Sequence, residues 1–174
     1  RDAYAFRQHV ETSRRNRGLD MIKEFDDFPV YYYSNHNAIL GPGKVVIQKD
    51  LAQKLDYELE IAIIIGKKGI NVSSSEADSY IGGFTIMNDL SSRKIQLDEM
   101  KLNLGPAKGK DFGTVLGPCI STFDEIEDKI IPTKNGNKYN IALKGFLNGK
   151  LISSDNLKNM TWTFAQIIER ISCG

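Results

Sequence analysis

The sequence has little of what marks several large classes of protein. It contains two cysteines, Cys119 and Cys173, too few for a disulfide framework or a cysteine-rich zinc site. No apolar run approaches the 18 residues that a membrane-spanning helix needs. The 23 basic and 22 acidic residues nearly cancel, so no excess of charge favours nucleic acid or an anionic membrane as a partner. With 41% hydrophobic and 26% charged residues, the composition is that of an ordinary globular protein.

Local patterns predict a mixed, largely antiparallel β fold with a few helices, because strands outnumber helices and do not alternate with them regularly. The predicted helices cover 3–18, 90–101 and 161–171; the predicted strands cover 28–33, 56–65, 80–88, 115–120, 139–146 and 150–153. The pair Gly82-Gly83 predicts a bulge or a close backbone approach. Cys119 falls in a strand-like run and is expected to be a buried thiol.

Two acidic residues of the strand 56–65 suggest a metal site. Glu58 and Glu60 share one face, about 7 Å apart at Cα, and that face continues into apolar residues. Asp89 ends the next predicted strand. Clustered carboxylates repel unless a cation lies between them, and their hard oxygen atoms suit Mg²⁺, Ca²⁺ or Mn²⁺. Two alternatives stay open: a solvated strand face for the glutamates, and a helix N-cap for Asn88-Asp89.

Five segments together resemble the fumarylacetoacetate hydrolase family. They are DAYAFRQH at 2–9, DYELE at 56–60, GFTIMNDLSSRKIQ at 83–96, GPAKGKDFGT at 105–114 and NMTWTFAQ at 159–166. The segments occur in the family's order and cover nearly all of the chain. The resemblance implies an α+β, mainly β fold: the mixed β-sandwich roll of the fumarylacetoacetase C-terminal domain, with a few helices.

The resemblance also implies roles for individual residues. It assigns the metal site to Asp2, Glu58, Glu60, Asp89 and Thr114. It makes His9 the general base and places Arg93, Gln96 and Lys110 against substrate oxygens. Tyr4 and Tyr32 would line the substrate pocket. Without the motifs, His9 would be read as a surface histidine, Lys110 as a solvated lysine and Arg93 as a member of a helix-surface ion pair.

The implied activity is metal-dependent hydrolysis of a C–C bond in a 1,3-diketone or 2-oxo acid. His9 would activate water, and Lys110, Arg93 and Gln96 would stabilise the enolate together with Mg²⁺ or Ca²⁺, with Mn²⁺ as a further option. The first alternative is a lyase or isomerase of the same family: a 2-oxo-diacid decarboxylase, a hydroxy-dienedioate isomerase or a sugar-acid dehydratase. The second is a metal-binding scaffold without turnover.

The sequence departs from the family pattern in two ways. Lys94 stands where the family usually has Asp. The sequence starts at Arg1 and stops at Gly174, before the family's last substrate loop and the glutamate that orients the base. We therefore expect residues 1–174 to be a single catalytic domain within a longer chain. A small 2-oxo acid or diketo acid as substrate, a homodimer and a cytoplasmic location are further expectations, with no nucleic acid or membrane as a partner.

Overall fold

The computed structural model describes all residues from 1 to 174, and they form two compact units. Unit 1 comprises Arg1–Tyr31, Ile65–Gly82 and Thr122–Gly174, and unit 2 comprises Tyr32–Ile64 and Gly83–Ser121. None of the helices has the length and the apolar character needed to cross a bilayer.

Short strands and short helices alternate irregularly along the chain. The strands are β1 (Asp2–Ala3), β2 (Tyr31–Tyr32), β3 (Ile39–Leu40), β4 (Leu55–Ile65), β5 (Ile81–Ser92), β6 (Thr114–Leu116), β7 (Ile130–Ile131), β8 (Lys138–Tyr139), β9 (Ala142–Leu147) and β10 (Lys150–Asn156). The α-helices are α1 (Arg7–Arg15), α2 (Ser74–Ala77), α3 (Arg93–Met100), α4 (Phe123–Ile126) and α5 (Phe164–Ser172). Short 3-10 turns cover Lys23–Asp26, His36–Ala38, Asp78–Tyr80, Glu127–Lys129 and Leu157–Asn159.

Unit 2 is organised by a four-stranded sheet with the order β3-β6-β5-β4. The short strand β6 pairs antiparallel with β5 and parallel with β3. Its first residue, Thr114, lies opposite Asp89 of β5. Because β4 is the other neighbour of β5, the sheet brings the acidic segment of β4 beside the strand that carries Asp89.

The two units bury different kinds of side chain. Most of the fully buried apolar side chains lie in unit 1, where α5 alone buries Phe164, Ala165, Ile167 and Ile168. Unit 2 buries a mainly polar set, which consists of Thr85, Asp89, Ser91, Ser92, Lys110 and Thr114. Burying polar and charged groups is costly unless they are paired, so this set points to a functional site in unit 2.

The apolar core of unit 1 is closed by α5. Thr163 caps the helix. Its side chain accepts a hydrogen bond from the Gln166 backbone N–H, and the Gln166 side chain accepts one from the Thr163 backbone N–H, so the two residues form a capping box. The ring of Tyr139 is fully buried, with centroid distances of 6.1 Å to Phe164 and 6.5 Å to Phe123. These tilted aromatic contacts anchor α5 to the segments that precede it.

Several predicted boundaries are wrong. The first helix begins at Arg7 and not at residue 3, because Asp2–Ala3 is a strand and Phe6 still has extended backbone angles. The strand predicted over 28–33 is reduced to Tyr31–Tyr32. The strand predicted over 80–88 continues to Ser92, which itself is the residue before α3. Asp89 is therefore a strand residue, and the alternative of a helix N-cap at Asn88-Asp89 is wrong.

Cys119 is also placed differently from the prediction. The thiol is exposed rather than buried. The strand predicted over 115–120 covers only Thr114–Leu116, and Gly117-Pro118 ends it before the cysteine is reached. Proline has no N–H to donate to a ladder, which explains why the strand stops there.

Gly83 allows a close backbone approach, as the sequence predicted for the Gly82-Gly83 pair. A Cβ atom added to Gly83 would lie 2.4 Å from Ile120 Cγ2 and 2.8 Å from the Ser121 carbonyl oxygen. The neighbouring residue Phe84 exchanges backbone hydrogen bonds of 2.8 Å with Ser121 in both directions. The segment Ile120–Ser121 thus packs directly on β5.

We predict that Gly83→Ala destabilises the protein by about 1–3 kcal/mol, because the new methyl group overlaps a backbone carbonyl that the hydrogen-bonded bridge holds in place. Chemical denaturation measures the change. Gly41→Ala is the matched control, since a Cβ added there meets nothing within 4 Å. Equal denaturation midpoints for Gly83→Ala and the wild type would contradict the packing described for β5.

Candidate metal and substrate site

Two carboxylates of unit 2 approach each other across neighbouring strands. Glu60 of β4 and Asp89 of β5 each offer a carboxylate oxygen, and the two oxygens lie within 4.8 Å of one another. Asp89 is only 2% exposed. Two oxygens bound to one Mg²⁺, Mn²⁺ or Ca²⁺ lie at comparable separations, since each metal–oxygen bond measures about 2.0–2.6 Å. The pair therefore has the donor atoms and the spacing for a hard divalent cation.

A buried lysine lies against this acidic cluster. The side chain of Lys110 is 5% exposed, and its Nζ lies 2.5 Å from Asp89 Oδ2 and 2.8 Å from Glu58 Oε2. The hydroxyl of Tyr32 donates a second hydrogen bond of 2.8 Å to the same oxygen of Asp89. The alternative of a solvated lysine is therefore wrong, because the side chain is buried between two carboxylates of the predicted site.

Arg93, the first residue of α3, completes the charge pattern. Its Nη1 lies 2.8 Å from Glu58 Oε1, so each oxygen of Glu58 has one cation as a partner. The same Nη1 donates to Gln96 Oε1 at 2.9 Å, and Nε donates to Asp56 Oδ2 at 2.8 Å. These contacts fix the guanidinium in one orientation.

Asp56 was not among the predicted site residues. The sequence nevertheless indicates its position, since Asp56 precedes Glu58 by two residues in DYELE and therefore lies on the same face of β4. The sequence could not show that Arg93 would reach it, because that contact joins residues 37 positions apart.

The charges shift the pKa values of this cluster in opposite directions. Burial would raise the pKa of Glu58, but Lys110, a hydrogen bond with Glu60, and Arg93 together lower it to about 2. Burial raises the pKa of Asp89, and neither Lys110 nor Tyr32 offsets this fully. The difference has a physical cause: Glu58 has two cationic partners and is partly exposed, whereas Asp89 has one and is almost completely buried.

Lys110 keeps its charge in this setting. Burial lowers the pKa of an amine, but the carboxylates of Glu58 and Asp89 outweigh the desolvation, so the pKa of Lys110 is raised. An ammonium ion held inside a polar, largely buried cluster is suited to stabilising a negative charge that develops on a bound substrate.

The glycine-rich loop delivers Lys110 to the cluster by packing closely on β5 and α3. The Ser92 N–H donates to the Gly109 carbonyl at 2.9 Å, and the Leu90 N–H donates to the Gly113 carbonyl at 3.3 Å. A Cβ added to Gly109 would lie 2.8–2.9 Å from the Gln96 backbone and its Cβ, so only glycine fits. The loop then continues into β6, where buried Thr114 pairs with Asp89.

The predicted site residues divide between the two units. Unit 2 gathers most of them: Tyr32, Glu58, Glu60, Asp89, Arg93, Gln96, Lys110 and Thr114. Unit 1 holds Asp2, which is buried in β1, and Tyr4 and His9, whose rings have a centroid distance of 6.1 Å. His9 is exposed on α1. The roles assigned to all of these residues stay predictions, including those of the metal ligands Asp2, Glu58, Glu60, Asp89 and Thr114 and of the base His9.

The whole chain, residues 1–174, matches the family model described as the C-terminal part of fumarylacetoacetate (FAA) hydrolase. The chain belongs to the fumarylacetoacetate hydrolase family. The resemblance carried by the five segments is thereby confirmed. The family includes proteins named as hydrolases and as tautomerases, as the following relatives illustrate.

Among the relatives of this family member is the oxaloacetate tautomerase Fahd2a of Rattus norvegicus, a protein named as mitochondrial. It is 30% identical over 146 residues, which are 83% of this chain and 43% of the relative. The fumarylacetoacetate hydrolase of Exiguobacterium antarcticum has a solved structure with a TM-score of 0.63, at 28% identity over 79% of this chain and 46% of that one. The chain spans about half the length of the curated relatives that it matches.

The fold class is confirmed by a third protein, the fumarylpyruvate hydrolase of Pseudomonas aeruginosa. Its structure, a complex with Mn²⁺ and pyruvate, superposes with a TM-score of 0.72 over 97% of this chain and 67% of that one. The identity is 16%, so this likeness supports the fold alone. The α+β fold of the fumarylacetoacetase C-terminal domain, with mixed sheets and short helices, is the fold of this chain.

We predict that Lys110→Met destabilises the protein most where Glu58 and Asp89 are ionised, by roughly 3 kcal/mol or more near neutral pH. The usual pKa of Glu58 is 4.5 and its folded pKa is about 2. The stability that ionised Glu58 contributes is therefore complete above about pH 4.5 and is lost as the pH falls toward 2. The deficit of the variant should shrink over that same window.

Denaturant unfolding at pH 7 and at pH 3 measures this dependence. Lys108→Met is the matched control, because Lys108 lies two residues away and its exposed amine pairs only with Asp111 at the surface. A deficit for Lys110→Met that is equally large at both pH values would contradict the ion pairing described for Glu58.

Proposed function

We propose that this family member binds a divalent cation through Glu60 and Asp89 and catalyses the hydrolysis of a C–C bond in a 2-oxo acid or a 1,3-diketo acid. The observation that carries the proposal is the buried Lys110 ammonium, which pairs with Asp89 and with Glu58. We further propose Asp2, Glu58 and Thr114 as residues that complete or support the metal site, and residues 1–174 as one catalytic domain.

The acidic character of this cluster supports a divalent cation. Four carboxylates, those of Asp56, Glu58, Glu60 and Asp89, accompany two cationic side chains, Arg93 and Lys110. The raised pKa of Asp89 indicates that the existing cations do not fully offset the burial of this carboxylate. Mg²⁺ or Ca²⁺ is the proposed ion, and Mn²⁺ suits the same oxygen donors.

When bound, the cation would polarise the carbonyl group of the substrate. Lys110 is proposed to stabilise the negative charge that develops on the enolate oxygen as the C–C bond breaks. Arg93 and Gln96, already oriented by each other, would bind the carboxylate of a 2-oxo acid. Tyr32 would keep Asp89 oriented through its hydrogen bond and line the pocket, together with Tyr4.

The base of the proposed hydrolysis is His9, and this assignment rests on the resemblance. A neutral imidazole would take a proton from water, which then attacks the carbonyl carbon adjacent to the bond that breaks. The homodimer and the cytoplasmic location that the resemblance implies belong to the same proposal.

A second candidate, tautomerisation of oxaloacetate, is favoured by one observation: the rat relative of that name is 30% identical over most of this chain. Tautomerisation also passes through an enolate and would use the same Lys110. It moves a proton between carbon and oxygen and needs no water as a nucleophile. Decarboxylation, dehydration and dienedioate isomerisation, the other reactions predicted for the family, likewise need no water as a nucleophile.

We predict that Asp89→Asn and Glu60→Gln each weaken Mn²⁺ binding by about tenfold or more, because each replaces an anionic ligand by a neutral amide. Isothermal titration with Mn²⁺ measures the change. Asp98→Asn is the control, since Asp98 is an exposed residue of α3 that pairs only with Lys94 and Lys101. Unchanged affinity in both site variants would exclude these residues as ligands.

We predict that His9→Ala lowers the rate of C–C hydrolysis by about 10²–10⁴-fold, because water is no longer activated. Acylpyruvates, fumarylacetoacetate, oxaloacetate and 2-oxo-3-deoxy acids form the substrate panel, each assayed with Mg²⁺ and with EDTA. Oxaloacetate tautomerisation that survives in His9→Ala, without hydrolysis in the wild type, would replace the first candidate by the second. Metal binding without any turnover would refute both candidates.

A further inference from the structure

Glu99 of α3 makes an unusual set of contacts with the backbone of the glycine-rich loop. Its carboxylate accepts hydrogen bonds from three consecutive N–H groups: Lys108 at 2.7 Å, Gly109 at 3.1 Å and Ala107 at 3.4 Å. The next residue along the chain is Lys110. One acidic side chain therefore holds the three backbone amides that directly precede the buried lysine.

These three amides belong to a single helical turn. The N–H groups of Lys110 and Asp111 both donate to the Ala107 carbonyl, at 3.0 Å and 3.1 Å. The first N–H groups of such a turn have no partner within it and point outward together. A carboxylate placed against them satisfies their hydrogen-bonding capacity and opposes their partial positive charge. Glu99 fulfils this function from a different element of the chain.

The same helix supports the turn from a second side. Gly109 packs on the Gln96 backbone so closely that a Cβ would lie 2.8–2.9 Å from it. The Gly109 carbonyl also accepts the Ser92 N–H at 2.9 Å, directly before α3 begins. Gly109 is thus held through its N–H by Glu99, through its carbonyl by Ser92 and through its Cα by Gln96. The position of Lys110 Cα is determined by these contacts.

We propose that Glu99 is a positioning residue: it fixes the turn Ala107–Gly109 and so holds the Lys110 ammonium between Asp89 and Glu58. Its effect on turnover rests on the proposed function, whereas its effect on the position of Lys110 does not. Glu99 touches neither the carboxylate cluster nor the proposed substrate contacts among the bonds described above, so it acts through Lys110.

The test uses Glu99→Gln, which keeps the size of the side chain but removes its charge and one acceptor oxygen. We expect amide hydrogen exchange at 107–109 to accelerate about tenfold, because hydrogen bonds to a charged acceptor are lost. Acetylation of Lys110 by acetic anhydride, followed by peptide mass spectrometry, should accelerate by about the same factor as the side chain leaves its buried position.

Asp98→Asn is the matched control for both measurements. It is the preceding residue on the same helix and carries the same type of substitution, but its partners are the surface lysines Lys94 and Lys101. Unchanged exchange at 107–109 in Glu99→Gln would overturn the proposal, and so would unchanged acetylation of Lys110. A uniform acceleration across all buried amides would also overturn it, because Glu99 would then support the fold in general.

A double-substitution cycle with Lys110→Met tests whether Glu99 acts through the lysine in turnover. We expect Glu99→Gln to lower kcat about tenfold with little change in KM, and to have no further effect in the Lys110→Met background. Additive losses would contradict the proposal. If the wild type turns over no member of the substrate panel, the proposed function fails, whereas exchange and acetylation still decide the role of Glu99.

Discussion

The structure of unit 2 depends on one interaction, the ammonium of Lys110 held between the carboxylates of Asp89 and Glu58. Removing a charge from water costs several kcal/mol per ion unless partners compensate it, so all three groups must be positioned together. The surrounding features meet this requirement. Gly109 permits the close approach of the loop, β6 places Thr114 opposite Asp89, and Arg93 occupies the second oxygen of Glu58.

The same interaction explains why the site retains capacity for a further cation. Cationic side chains neutralise the charge of Glu58, since each of its oxygens has a cationic partner and its pKa falls to about 2. The charge of Asp89 is less fully neutralised, because burial still raises its pKa despite its contacts with Lys110 and Tyr32. Glu60 offers a carboxylate oxygen within 4.8 Å of one from Asp89. The cluster is therefore polarised: cationic side chains neutralise Glu58 at one end, and Glu60 and Asp89 offer donor oxygens for a divalent cation at the other.

Much of this site was predictable from the sequence, and the parts that were not have a common cause. Strand alternation placed Glu58 and Glu60 on one face, and the family motifs identified Asp89, Arg93 and Lys110. The contacts of Asp56 and Glu99 were missed because each joins two different elements, 37 positions apart for Asp56 and Arg93 and 8–10 positions apart for Glu99 and the loop amides, through geometry that only the folded chain sets. The errors over Cys119 and the end of β5 arose similarly: local propensity gave no sign that β5 continues to Ser92 or that β6 ends at Leu116, before Cys119.

The composition of unit 2 also explains how one family can contain proteins named for different reactions. Hydrolysis and tautomerisation both generate negative charge on an enolate oxygen, and under the proposed function the buried ammonium of Lys110 would serve either. The step that separates them is the activation of water, for which unit 2 supplies no histidine other than His36, an exposed residue of a 3-10 turn. In the proposed hydrolysis the base is His9 of unit 1, so we expect the choice between the two reactions to depend on residues outside this cluster.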